Sequence, residues 1–110
     1  MSIQTPIVEV AISGFDWDAG NQGKCAKHGV SASEVEELFA GTPAVQPDPT
    51  HSTSEERFQA IGSTAAGRYV FLVFTIRSRG DERVIRPISA RYMHRKEIAR
   101  YEQDNPDLRH

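Results

Sequence analysis

Three residues near the C-terminus combine side-chain types that could do chemistry on an anion. Arg91, His94 and Arg95 fall in one short stretch, with Lys96 next in line. Arginine stays charged and presents a planar fork of donors that matches phosphate. Histidine titrates nearest neutral pH and is the natural proton carrier. In this reading Arg91 and Arg95 clamp a phosphate and His94 moves a proton. The plainer alternative is an exposed basic helix start with a solvated histidine, which is what most basic helix faces are.

Two further groups invite the same comparison. Lys27 and His28 stand immediately before Gly29, a helix-ending glycine, where cations interact favourably with the helix dipole. A structural role accounts for them, and a catalytic or binding role stays open. Arg57 follows Glu55 and Glu56. It either pairs with a carboxylate, which adds little stability at a surface, or faces a groove beside Arg77. Asp48, His51 and Glu55 match no regular ligand spacing, so no metal is expected, and no other cofactor. Phe15 and Trp17 could stack a base, but an aromatic pair before a helix more often packs in the core. Cys25, the one cysteine, has no disulfide partner and no marked activating neighbour.

The elements that must position these side chains can be read from pattern. Ile7–Ile12 is rich in β-branched residues and predicts a strand. Asp18 caps a helix running towards His28, weakened by Gly20 and Gly23. Ser31 and Glu34 have capping-box spacing, with Val35, Leu38 and Phe39 on one face and Gly41 and Pro43 as stops. The segment 43–54 is a proline-rich loop with a short edge strand at Ala44–Gln46. Three strands follow: Arg57–Gly62, the almost wholly apolar Arg68–Ile76, and Arg83–Ala90 with Val84 and Ile88 on one side. Their short glycine-containing connections favour an antiparallel meander. Pro87 cannot donate to a ladder, so the third strand lies at an edge or carries a bulge there. Met93–Gln103 reads as an amphipathic helix. The expected class is α+β: a small antiparallel sheet of about four strands with two N-terminal helices and one C-terminal helix.

Bulk properties set the frame. The 110 residues suit a single domain. No secretory signal is visible, and the longest apolar run, Tyr69–Phe74, is too short to span a bilayer, so a cytoplasmic protein without membrane contact is expected. The net charge of −2 conceals an asymmetry. Residues 1–67 hold three basic and nine acidic side chains, whereas residues 68–100 hold nine basic and three acidic ones. Such a basic segment can make a local anion-attracting surface.

Three stretches together resemble the BrnT family. They are Phe15-Asp16-Trp17-Asp18 continuing to Lys27-His28-Gly29-Val30-Ser31; Asp48-Pro49-x-His51 with Glu55-Glu56-Arg57-Phe58-x-Ala60-Ile61-Gly62; and Ile88-Ser89-Ala90-Arg91 with Arg95-Lys96-Glu97 and Tyr101-Glu102. They cover roughly residues 14–103 in the family's order. Where that family usually has a lysine after its aromatic start, this chain has Asn21. The resemblance implies a RelE-like fold and a ribonuclease toxin of a type II toxin–antitoxin pair. It implies a BrnA-like antitoxin with a ribbon-helix-helix part as partner, RNA as substrate, and DNA reached only through the antitoxin. It points to metal-independent cleavage, in which the 2′-hydroxyl attacks the adjacent phosphate. Arg91, His94, Arg95, Lys27 and His28 are then the expected catalytic residues, with Arg57, Arg77 and Lys96 holding RNA phosphates. The competing expectation is a non-catalytic module on the same fold, serving as antitoxin partner and transcriptional co-repressor.

Overall fold

The computed structural model describes residues 12–52 and 54–105. The strand expected at Ile7–Ile12 lies outside these except for its last residue. The described chain runs β1 (Ile12–Phe15), α1 (Ala19–Ala26), α2 (Ala32–Ala40), β2 (Ala44–Pro47), a 3₁₀ turn (Pro49–His51), β3 (Phe58–Ser63), β4 (Tyr69–Arg79), β5 (Glu82–Tyr92) and α3 (Arg95–Asp104).

Both N-terminal helices start on reciprocal caps. The Ser31 hydroxyl accepts from the Glu34 N–H at 3.2 Å, and Glu34 accepts from the Ser31 N–H at 3.0 Å. Asp18 accepts from the Asn21 N–H at 2.9 Å, and the Asn21 side-chain oxygen accepts from the Asp18 N–H at 2.8 Å. The second box offsets the poor helix propensity of Gly20 and Gly23 by satisfying two N–H groups that a helix start leaves orphaned.

The sheet order is β1-β5-β4-β3-β2. Strands β2 to β5 form the expected antiparallel succession, and β1 adds in parallel beside β5, giving five strands in a mixed sheet. The chain leaves β1, crosses one face through α1 and α2, and returns at the far edge as β2. Cys25, Val30, Val35 and Leu38 from that crossing pack on Phe58, Ala60, Val70, Leu72, Phe74, Ile85 and Ala90 of the sheet. Phe15 belongs to the same core, edge-on to Phe39 at 5.7 Å between centroids, so its role is packing. Trp17 packs against the core too and donates from Nε1 to Glu36 at 2.9 Å.

Strands β4 and β5 are longer at their hairpin than the apolar pattern suggests. Their charged ends are held by carboxylates: Arg77 by Glu55 at 3.1 Å and Arg79 by Asp16 at 2.7 Å. On β5 the bulge alternative for Pro87 is the one realised. Val73 pairs with Ser89 and Phe74 pairs with Pro87, so Ile88 is the extra residue. The bulge resets the alternation. The face of β5 towards α1 and α2 carries Ile85, Pro87 and Ala90, while Val84, also buried, lies on the other face. β5 is also an interior strand, because β1 covers its outer side up to Ile85.

The Ile85 carbonyl accepts from the Asp16 N–H, and the Pro87 carbonyl, two residues on along the same edge, lies past the end of β1. The Asn21 side-chain amide takes it at 2.9 Å and donates also to the Asp16 carbonyl at 2.9 Å. One side chain, 4% exposed, thus joins the end of β1, the start of α1 and the bulge of β5. Asn21→Ala should lower stability by about 1–3 kcal/mol, the scale for orphaning buried polar groups. Urea denaturation measures this, and an unchanged midpoint would remove Asn21 from the account.

Candidate functional site

Alternation along β5 sends its last residues to opposite faces, and this decides which sequence candidates meet. Tyr92, opposite Val70, points to the face carrying α1 and α2. Its hydroxyl lies 2.9 Å from both Glu34 carboxylate oxygens and 3.0 Å from the Gly29 carbonyl. The Arg68 guanidinium carbon stands 3.4 Å from the Tyr92 ring centroid. Glu34, accepting from the phenol, pushes the Tyr92 pKa up. Burial, followed by the charge of Glu102, pushes Tyr69 up. Both phenols therefore keep their protons at neutral pH, directed to Glu34 and Glu102, and are unsuited to taking a proton.

Tyr92 is the link between the two sequence clusters. Gly29 has φ of +85°, and a Cβ there would stand 3.5 Å from the Tyr92 ring. The Lys27–His28 turn is thereby seated against the end of β5, two residues before His94. Lys27 is the C-cap residue of α1, and its N–H donates to the Gly23 carbonyl at 2.9 Å; both Lys27 and His28 are exposed. His94 is the N-cap residue of α3, and His94, Arg95 and Lys96 are exposed. Beside them lies an open groove of about 550 Å³ lined by Arg68, Tyr69, Tyr92, Arg95, Ile98 and Glu102, among others. Among the described residues neither Arg68 nor Arg95 has an ion-pair partner. The Arg68 charge also helps to lower the Glu34 pKa, and Glu102 shares the groove lining; two guanidinium groups without a direct ion pair beside aromatic rings can hold a phosphodiester.

Arg91 points to the other face, where α3 lies. Its guanidinium meets Glu97 with two hydrogen bonds of 2.8 and 2.9 Å and lies 5.0 Å from the Phe71 ring centroid. Glu97 also accepts from the His94 N–H at 2.8 Å. The pair fixes α3 to the sheet, a contact supplemented by Tyr69, whose ring is edge-on to Tyr101 at 5.8 Å. Arg91 is thus neutralised as it stands, and Glu97 would have to release it before it could bind phosphate.

Arg57 and Arg77 are elsewhere. Phe58 pairs with Phe74, and Arg77 pairs with Val84, whereas Tyr92 pairs with Val70. Seven residues of β4 separate Arg77 from Val70, on the order of 23 Å of strand. Arg77 is held by Glu55, and the buried Nε of Arg57 has no hydrogen-bond partner. The structure therefore brings Lys27, His28, His94, Arg95 and Lys96 to one end of the sheet, turns Arg91 away, and sets Arg57 and Arg77 apart. It adds Arg68 and Tyr92, which sequence reasoning passed over. Their signal is weak: Arg68 follows the Gly67 turn with no motif around it, and only the Val70–Tyr92 register reveals their partnership. No group of three or more His, Cys, Asp or Glu among the described residues is placed to hold a metal ion.

Comparison with known proteins bears on the same span. A family model described as ribonuclease toxin, BrnT, of type II toxin-antitoxin system matches residues 17–97. No curated protein matches the chain. The matched span contains the groove residues from Arg68 to Arg95 and both histidines of the cluster.

The Arg91–Glu97 pair carries a pH signature. Arg91, then the His94 N–H, hold the Glu97 carboxyl down from its ordinary 4.5 to about 2. A lowered folded-state pKa contributes stability above the unfolded value, and that contribution is lost as pH falls from about 4.5 through about 2. NMR titration of Glu97 should give a midpoint near 2, moving towards 4.5 in Arg91→Met. A midpoint that does not move in the variant would show that the pair is not formed in solution.

Proposed function

Because the chain belongs to the BrnT family of ribonuclease toxins of type II toxin–antitoxin systems, we propose that it cleaves RNA without a metal in the groove at the end of β5, and that a BrnA-like ribbon-helix-helix antitoxin neutralises it. The observation that carries the proposal is that Arg68, 3.4 Å from the Tyr92 ring centroid, and Arg95 line one groove, with His94 next to Arg95 in the chain and His28 next to Gly29, whose carbonyl accepts from Tyr92.

Cleavage of this kind transfers the proton of the 2′-hydroxyl to a base as its oxygen attacks phosphorus. The 5′-oxygen leaves with a proton from an acid, producing a 2′,3′-cyclic phosphate. Arg68 and Arg95 stabilise the charge that builds on the phosphoryl oxygens. His94 and His28 are the groups whose type suits proton transfer at neutral pH. Tyr92, fixed by Glu34 and Gly29, seats the Arg68 guanidinium on its ring and keeps the Lys27–His28 turn in place. Lys96 and Lys27 extend the positive rim along which the RNA backbone tracks. Arg91 acts by holding α3, Arg77 lies too far along β4 to touch the same phosphate, and Arg57, just before β3, sits beside that same far part of β4. The target RNA sets the site of action in the cytoplasm, in keeping with the absence of any described helix long and apolar enough to cross a membrane. DNA is reached only through the antitoxin.

One observation favours the second reading, a non-catalytic partner and co-repressor: Arg91, central to the sequence cluster, is neutralised by Glu97. Induced expression in a bacterial host, with growth and total RNA followed together, separates the two. The wild type should arrest growth with RNA decay. Arg68→Ala or Arg95→Ala should relieve the arrest while remaining folded, with cleavage lowered by about 10²–10³-fold, the scale for removing one charge-stabilising donor. Normal growth and intact RNA at high soluble expression would leave the co-repressor reading in place.

A further inference from the structure

A second groove of the described chain differs from this cationic site in character. It is about 1050 Å³, open to solvent, and lies between α2 and β1. Its apolar lining includes Ile12, Phe15, Phe39, Ala40, Val45 and Ile85. Among the described residues its charged lining is Glu36 and Glu37. Among the described residues neither carboxylate has a cationic partner: Glu36 accepts from the Trp17 indole and Glu37 from the Ala65 N–H at 2.9 Å. β1 is the outermost strand, and among the described residues nothing pairs with its free edge. Ile12, Phe15, Phe39 and Val45 are only partly buried.

Charge and polarity together identify what such a surface takes. Unpaired carboxylates repel a phosphate backbone, so RNA is not the occupant. An apolar trough with an acidic rim suits an apolar protein segment bearing lysine or arginine at its flanks. A free strand edge adds backbone donors and acceptors for an extended segment. We infer that this groove is the docking site for an apolar, basic-flanked segment of the antitoxin, on a face separate from the Arg68–Arg95 groove. The inference rests on the toxin–antitoxin reading above. It has a consequence for neutralisation: the antitoxin is anchored at one face by apolar contact and acidic attraction, and reaches the cationic groove with another part of its chain.

The groove has a smaller rival at Tyr101, about 270 Å³, lined by Ala44, Gln46, Gln59, Ile61, Asp104 and Asn105 among others. Its greater share of amide side chains and its smaller size make it the weaker anchor.

The test is calorimetric titration of the full-length toxin with the antitoxin encoded beside it, alongside the growth assay. The variants are Ala40→Arg, which fills and recharges the groove from an exposed position, and Glu36→Lys. Each should weaken antitoxin binding by at least about 30-fold, the scale of an interface hot spot, while thermal melts and RNA cleavage by the free toxin stay as in the wild type. These variants should then remain toxic when the antitoxin is co-expressed. Wild-type affinity in both variants would overturn the inference. So would loss of a toxin self-dimer with antitoxin affinity intact, which would give the groove to a second copy. Binding is read independently of catalysis, so an inactive toxin that still loses antitoxin affinity in these variants would sink the ribonuclease reading and uphold the docking site.

Discussion

One buried amide ties the N-terminal third of the fold to its most important strand. Asn21 is 4% exposed. It accepts from the Asp18 N–H and donates to the carbonyls of Asp16 and Pro87. The Pro87 carbonyl lies on the edge of β5 just past the end of β1, where no strand pairs with it, and in a buried position an orphan costs more than a hydrogen bond contributes. Asn21 removes that cost and at the same time caps α1. A lysine at this position could donate to both carbonyls but could not accept from the Asp18 N–H, so the asparagine closes a hydrogen-bond set that a pure donor would leave open.

The bulge it stabilises has consequences along the strand. Beyond it the faces of β5 are reset, so that Arg91 turns towards α3 and Tyr92 towards α1 and α2. Arg91 then finds Glu97 and fastens the C-terminal helix, whose docking otherwise rests largely on Tyr69 against Tyr101. Tyr92 finds Glu34, Gly29 and Arg68, and becomes the post around which the cationic groove is built. The chain's charge asymmetry acquires a spatial meaning as well. Arg68, His94, Arg95 and Lys96, from the basic segment, collect at the end of β5, while Glu36 and Glu37, from the acidic one, border the apolar groove beside α2.

Much of the fold was legible because its signals are local. Capping boxes are read three residues apart, and the Ser31–Glu34 box appears where its spacing says. The apolar run through β4 and the short turns on either side specify an antiparallel succession without help from the rest of the chain. The parallel docking of β1 was not legible, since it depends on where the α1–α2 crossing delivers the chain. Pro87 announced an irregularity, but which of an edge and a bulge it marks is decided by the neighbour that covers β5. The site was legible in its residue types and only partly in its grouping. Lys27, His28, His94 and Arg95 do share one end of the sheet. Arg91 looked equivalent to Arg95 in sequence, yet a strand places neighbours on opposite faces and a helix start six residues on supplies its carboxylate. Arg68 was missed because cation–π contact across paired strands leaves no trace in spacing along one of them.

The cleavage proposed for this end of the sheet is attack of the RNA 2′-hydroxyl on the adjacent phosphate. The most direct measurement is incubation of the purified protein with a short end-labelled RNA in excess EDTA, with the product termini identified by mass spectrometry. Fragments ending in 2′,3′-cyclic phosphate and 5′-hydroxyl, formed at an undiminished rate in chelator, are the predicted result. Intact RNA, or 5′-phosphate ends that vanish with chelation, would contradict it.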